Sequence, residues 1–314
     1  GRVDLFDEAR QITFHVAATA LAGIDQPDEV ARLQQLFYKL IPRMMMGASQ
    51  EEYERFEREA VEARDALDAI LLRLIAERRA TPESQVHDLL GMIVHARDEQ
   101  GVGLTDEEVL AHLYILLVAG HETTTILGAW TLYFLATEHA QRQRVEEELR
   151  SLLAGSSSAD SPLSVEAARN LHALDLFIRE TGRLHSPVQN VPRGVVQDVE
   201  FAGYTIPAGT DVRLALAGCH RMERYFANPN TFDPDRFAPP REEDRKTPYS
   251  LVTFGGGPRL CIGVNFANIE VKALAVDVLR RYELTPVEAY PPMDMGFITL
   301  TIPGGIPMKV TPRR

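Results

Sequence analysis

Cys261 lies eighth in a ten-residue run, Phe254-Gly-Gly-Gly-Pro-Arg-Leu-Cys261-Ile-Gly263, that sets one cysteine in a glycine-rich loop. The glycines let backbone pass close to a flat group and let amides face the sulfur. A helix expected from about Gly263 brings positive potential, which favours thiolate over thiol. Such a sulfur suits a metal. Arg259, two residues earlier, suits a carboxylate. A buried cysteine in a tight turn is the plainer alternative, but every position of F-x-x-G-x-R-x-C-x-G has its own physical reason, which favours a ligand loop.

A second cluster lies at Ala119-Gly120-His121-Glu122-Thr123-Thr124, inside an otherwise apolar helix. Glycine there costs about 1 kcal/mol against alanine. Threonine can bond back to the carbonyl four residues earlier and bend the helix. A buried carboxylate must be paired, hydrated or neutral. Together these residues suggest a locally opened helix with a pocket and a proton donor; the alternative is a packing kink with a satisfied glutamate. Glu180-x-x-Arg183 is weaker, since an i, i+3 acid–base pair is usually a surface pair.

The cysteine loop resembles the haem-ligand loop of the cytochrome P450 family. The other motifs follow in that family's order across essentially the whole chain. The resemblance implies a mainly α fold with small β-sheets: a triangular helical body around a long distal helix, in a single domain over residues 1–314. It implies haem b as cofactor, with Cys261 as axial iron ligand, Phe254 packed against the sulfur, and Gly263 and Ala119 beside the cofactor. Glu122 and Thr123 match the acid and alcohol that pass protons to dioxygen, whereas His121 has no role in that motif. Glu180 and Arg183, closed by Arg236 of Phe232-Asp-Pro-Asp-Arg236-Phe237, match a folding triad, although Asp235 stands where the family usually has glutamate. Arg259, Arg193 and His220 match partners of the haem propionates. Val188, Gln189, Val191, Ile298 and Thr299 match positions bordering a substrate pocket.

The implied activity is insertion of one atom of dioxygen into a hydrophobic small molecule. Electrons would come from a ferredoxin or flavodoxin-type donor with its reductase, since no reductase is fused. Two alternatives stand beside it: a peroxygenase, isomerase or dehydratase on the same fold, and a haem-poor, inactive form. The second is suggested because the family's N-terminal part is not visible before Gly1, and the single Trp130 lies in the distal helix rather than at the propionate position in that part.

Composition sets outer bounds. The 314 residues are 45% hydrophobic and 25% charged, values of an ordinary globular protein. A net charge of −12 argues against nonspecific nucleic-acid binding. Two cysteines allow at most one disulfide, and none if Cys261 is a ligand. No charge-free apolar window of about 18 residues is seen, so no membrane span is expected. The expected setting is cytoplasmic and bacterial-type, with an anchor ahead of Gly1 left open.

The elements that must position these groups follow from periodicity. Helices are expected from Asp4 to Gly23, Glu29 to Leu40, Gln50 to Arg79, Thr105 to Leu135 and Val165 to Leu184, and again from Val264 to Arg281. Thr105-x-x-Glu108 reads as a capping box. Met44-Met45-Met46 reads as core filler, and residues 155–162 as a flexible surface loop. Hairpins are expected at Val199–Thr210 and from Phe297 to Val310.

Overall fold

The computed structural model describes residues 1–40, 49–153, 162–287, 291, 294–295 and 300–313. Met44–Met46, Ile298, Thr299 and all of the 155–162 loop except Ser161's neighbour Pro162 lie outside the described residues. The chain forms two compact units, residues 8–122 and residues 1–7 with 123–314.

The 8–122 unit is helical. It holds nearly all of α1 (Leu5–Ala22), then α2 (Pro27–Leu40), α3 (Gln50–Ala80) and α4 (Leu89–His95), and the first half of α5 (Asp106–Thr137). Each boundary has a local cause. Gly23, at φ +66°, ends α1 as the sequence predicts, its N–H donating to Thr19 O and that of Ile24 to Ala18 O. Ser49 and Glu52 form a reciprocal capping box at the start of α3. Thr105 and Glu108 do the same before α5. The apolar faces meet in one core of Phe14, Leu33, Phe37, Leu67, Leu71, Ile75, Leu90 and Leu113, all essentially without exposure.

The second unit carries the rest of α5, then α6 (His139–Leu153), α7 (Val165–Arg169) and α8 (His172–Leu184). The single helix expected over 165–184 is therefore two. Glu148 on α6 explains the break: its carboxylate accepts from the N–H groups of His172 and Ala173 at 2.7 and 2.9 Å, so a fresh N-terminus forms there.

Among the described residues there are four small antiparallel sheets. Strand β2 (Val191–Gly194) pairs with β5 (Asp211–Leu214), and β3 (Val199–Phe201) pairs with β4 (Tyr204–Ile206). The β3–β4 hairpin turns at Ala202 and Gly203, both at positive φ, as a type I′ connection requires. The helices α9 (Leu216–His220), α10 (Glu243–Lys246) and α11 (Val264–Arg281) alternate with irregular chain. The three-stranded sheet has the order β1 (Arg2–Asp4), β9 (Pro307–Pro312), β6 (Tyr282–Pro286).

The hairpin expected from 297 to 310 does not form as one unit. Strand β8 (Leu300–Thr301) pairs with β7 (Asp294–Met295), while β9 leaves to join β1 and β6. Asp4 draws it there: its Oδ1 accepts from Ile306 N at 2.8 Å, and Leu5 N donates to Ile306 O at 2.9 Å. Among the described residues one helix, α5, is long and apolar enough to cross a membrane. The sequence reading passed over it because Glu122 interrupts the run; residues 126–136 are buried in the protein.

Candidate functional site

The cysteine loop is a tight reversal. Cys261 N donates to Phe254 O at 2.8 Å, closing the loop across the glycines. Gly255 sits at φ +75°, and a Cβ there would lie 2.9 Å from Arg259 O, so only glycine fits. Helix α11 begins immediately afterwards with Gly263 at its cap and no side chain capping it. A Cβ on Gly263 would sit 3.8 Å from the Cys261 sulfur. Cys261 is exposed and unpaired, as is the half-buried Cys219 in having no disulfide. Its neighbours Leu260 and Ile262 are exposed too, Ile262 at 94%. A loop that presents a thiol beside bare apolar side chains is built to be covered by an apolar group.

Two contacts pin the entry to this loop. Val252 N donates to Nε2 of His220 at 2.9 Å. Nε2 therefore carries no hydrogen and the proton is on Nδ1. Burial pushes the His220 pKa down to about 4, so the ring is neutral. Beside it, a Cβ on Gly182 of α8 would lie 2.8 Å from Thr253 Cγ2, so the missing side chain lets α8 approach the loop. His220 is completely buried. The resemblance implies a propionate partner there; what the structure shows of His220 is the support its Nε2 gives to the loop entry.

The supports converge on the Glu180–Arg183–Arg236 group, whose side chains have no exposure. Arg183 grips Glu180 with two bonds of 2.7 and 2.8 Å. Its Nη1 reaches His220 O at 2.8 Å and Pro229 O at 2.7 Å. Arg236 Nε donates to Glu180 Oε1 at 3.0 Å, and Asp233 N adds a bond to the same oxygen at 2.9 Å. Glu243 is a fourth member that the sequence reading missed. Its Oε2 accepts from Arg236 Nη1 at 2.8 Å, and its Oε1 from Arg241 at 2.7 Å. Asp235, in the family's usual glutamate position, instead faces Arg144 at the surface, 2.7 Å away.

Within α5, Ala119 and Gly120 are exposed, Glu122 and Thr123 are half-buried, and Thr124 and Thr125 are buried. A Cβ on Gly120 would meet nothing within 4 Å. The glycine is thus no packing requirement, and the helix presents an open notch beside its acid. Burial raises the Glu122 pKa, against the nearby Arg10 guanidinium and a bond from the Tyr38 hydroxyl, which lower it. Arg10 Nε lies 3.8 Å from Glu122 Oε1. Neither Arg10 nor Tyr38 stood out in the sequence, because they reach this acid from α1 and α2.

Arg193 on β2 and Arg259 in the loop are both exposed. Arg193 Nη1 rests on the adjacent Pro192 carbonyl at 2.8 Å. Val188, Gln189 and Val191 are half-buried. Among the described residues no three His, Cys, Asp or Glu side chains cluster as a metal cage. A metal held by Cys261 within a macrocycle takes its other ligands from that macrocycle. The exposed thiol, its exposed apolar flanks and the exposed arginines of this unit fit haem.

The chain matches the family model "Cytochrome P450" over residues 33–310. It is 34% identical over 254 residues to "Putative cytochrome P450 136" of Mycobacterium tuberculosis, covering 80% of this chain and 49% of that protein. It is 30% identical over 302 residues to "Sterol 14alpha-demethylase" of Mycolicibacterium vanbaalenii, covering 92% of this chain and 65% of that one. The crystal structure of the cytochrome P450DA heme domain superposes with a TM-score of 0.89 at 26% identity, over 100% of this chain and 69% of that one. The chain spans about half the length of some curated relatives it matches.

Proposed function

The chain belongs to the cytochrome P450 family, and from that membership we propose that it is a haem-thiolate monooxygenase acting on a hydrophobic small molecule. The observation that carries the proposal is the Cys261 loop: an exposed thiol at an uncapped helix N-terminus, flanked by exposed Leu260 and Ile262.

Cys261 would hold haem b through its sulfur, with Phe254 and Gly263 beside it and Arg259 and Arg193 on the propionates. When bound, haem supplies the reductive activation of dioxygen. The balanced reaction takes substrate, dioxygen, two electrons and two protons to hydroxylated product and water. This chain's residues do the rest. Cys261 as thiolate would lend electron density to the iron it held, and the glycine loop leaves room for amides to face the sulfur. Glu122 holds a proton within the half-buried α5 notch, and Thr123 beside it offers a hydroxyl for passing that proton on. Val188, Gln189 and Val191 border the substrate side. The electrons come from a ferredoxin or flavodoxin-type partner with its reductase, and the setting is cytoplasmic.

The test is spectroscopic. Purified protein assayed as the pyridine haemochrome should contain one haem per chain. Reduced under carbon monoxide, it should show the thiolate-shifted Soret band, and Cys261→Ser should abolish it. Haem content near zero, or an imidazole-type spectrum, overturns the reading.

A further inference from the structure

Glu122 is gripped by groups from two other helices of its unit. Tyr38 Oη lies 2.7 Å from His121 Nε2, and the same nitrogen lies 3.3 Å from the Arg10 carbonyl oxygen. A carbonyl only accepts, so Nε2 carries the hydrogen. His121 is wholly buried, and that burial drives its pKa down to about 3, so the ring is neutral. Tyr38 thus accepts from His121 and turns its own O–H onward. The acceptor facing it is the Glu122 carboxyl. Donation runs in one direction, from His121 through Tyr38 to Glu122.

Arg10 closes the bracket. Its Nε is 3.8 Å from Glu122 Oε1 and its guanidinium stacks over the Tyr38 ring at 5.3 Å. Gln34 Nε2 donates to the Arg10 carbonyl at 3.5 Å, steadying the strand of contacts from α2. The charged or titratable groups facing Glu122 in this unit are Arg10 from α1, Tyr38 from α2 and His121 from α5 itself. The Arg10 side chain is 31% exposed, so the bracket reaches solvent at one end. The His121 ring is packed edge-on against Phe14 and Tyr38, centroids 5.1 and 5.6 Å apart, which leaves it no freedom to turn.

We propose that Tyr38 and Arg10 are positioning residues for Glu122: they hold its carboxyl in one place and keep it ionisable, so that it can take protons from the solvent end. His121 sets the direction of the Tyr38 hydroxyl. The inference rests on the reading of Glu122 as the proton-passing acid, and its test separates the two.

Infrared difference spectra between the parent protein and Glu122→Gln isolate the Glu122 carboxylic-acid band, which is followed against pH. Tyr38→Phe and Arg10→Gln should each raise the pH at which that band disappears, because each removes a group that favours the carboxylate. Arg10→Lys, which keeps the charge, should restore much of the shift. A band that titrates at the parent pH in both Tyr38→Phe and Arg10→Gln overturns the inference. Arg10 lies partly in solvent, so its variants report even if Tyr38→Phe folds poorly. Separately, coupled product formation is measured in Glu122→Gln. Full coupling there overturns the acid role of Glu122 and leaves the bracket standing on the titration. Lost coupling with an unshifted band keeps the acid and sinks the bracket.

Discussion

The backbone amide of Val252 donates to Nε2 of His220 at 2.9 Å, and His220 in turn offers its own carbonyl to Arg183 at 2.8 Å. The entry to the Cys261 loop is therefore hung, through one imidazole, from the buried ion group around Glu180. His220→Ala should leave the Val252 N–H buried and unsatisfied, costing about 1–3 kcal/mol. Thiol labelling of Cys261 in cofactor-free protein should quicken, because the loop loses an anchor. A residue that served only to hold a propionate would leave cofactor-free protein unchanged in both measurements.

Gly182 and Thr253 form a matched pair across the same junction. Gly182→Val should force atoms into a gap of 2.8 Å and destabilise by about 1–3 kcal/mol. Thr253→Ala removes the offending methyl and should recover part of that loss in the double variant. Chemical denaturation of both singles and the double gives the coupling directly; strict additivity would refute the contact.

The buried ion group predicts an order of damage. Arg236→Met strips a cation from Glu180 and Glu243 together and should cost about 3–5 kcal/mol, enough to prevent accumulation of folded protein. Glu243→Gln should cost distinctly less, since Arg236 keeps Glu180 and the carbonyls of Ala227 and Thr231. Soluble yield and thermal midpoint check the ranking. Equal losses from the two variants would refute the ranking and give Glu243 as large a share of the group's stability as Arg236.

Two buried groups should bend the stability–pH curve in opposite senses. His185 stacks on Trp130 with ring centroids 3.9 Å apart, and burial lowers its pKa from 6.5 to about 3. Its contribution is present above pH 6.5 and lost as pH falls, because the unfolded chain takes up the proton first. His185→Phe should therefore gain on the parent as pH drops below 6.5, by about 1.4 kcal/mol per unit. Glu270 runs the other way. Burial raises its pKa from 4.5 to about 8, and its Oε1 has no hydrogen-bond partner. Its contribution is present below pH 4.5 and lost as pH rises towards 8, so Glu270→Gln should gain on the parent over that window. Unfolding free energies at pH 5, 6.5 and 8 decide both; parallel curves for parent and variants would refute them.

What could be read in advance was what local spacing dictates. The capping box at Thr105, the Gly23 stop and the cysteine loop depend on neighbours a few residues away, and all are visible in the residue order. Local spacing alone made Glu180 and Arg183 a surface pair; their buried role, like that of Arg236, was legible only through the family resemblance. Glu243 was not, because it reaches Arg236 across a reversal in which Glu242 adopts positive φ. Tyr38 and Arg10 were hidden more deeply. Their partner lies 84 and 112 residues away, on another helix, and nothing in the periodicity of α1 or α2 marks them. The split between α7 and α8 failed for a like reason: its cause, Glu148, sits on α6.

That Glu148 clamp has a consequence for how the protein can vary. The carboxylate chooses the residue at which α8 begins, and α8 carries Glu180, Gly182 and Arg183. The phase of that helix is therefore marked by a contact from α6 rather than by the residue count along α7. Without that carboxylate the start of α8 would lose the contact that marks it, and the buried residues it carries would lose a fixed register.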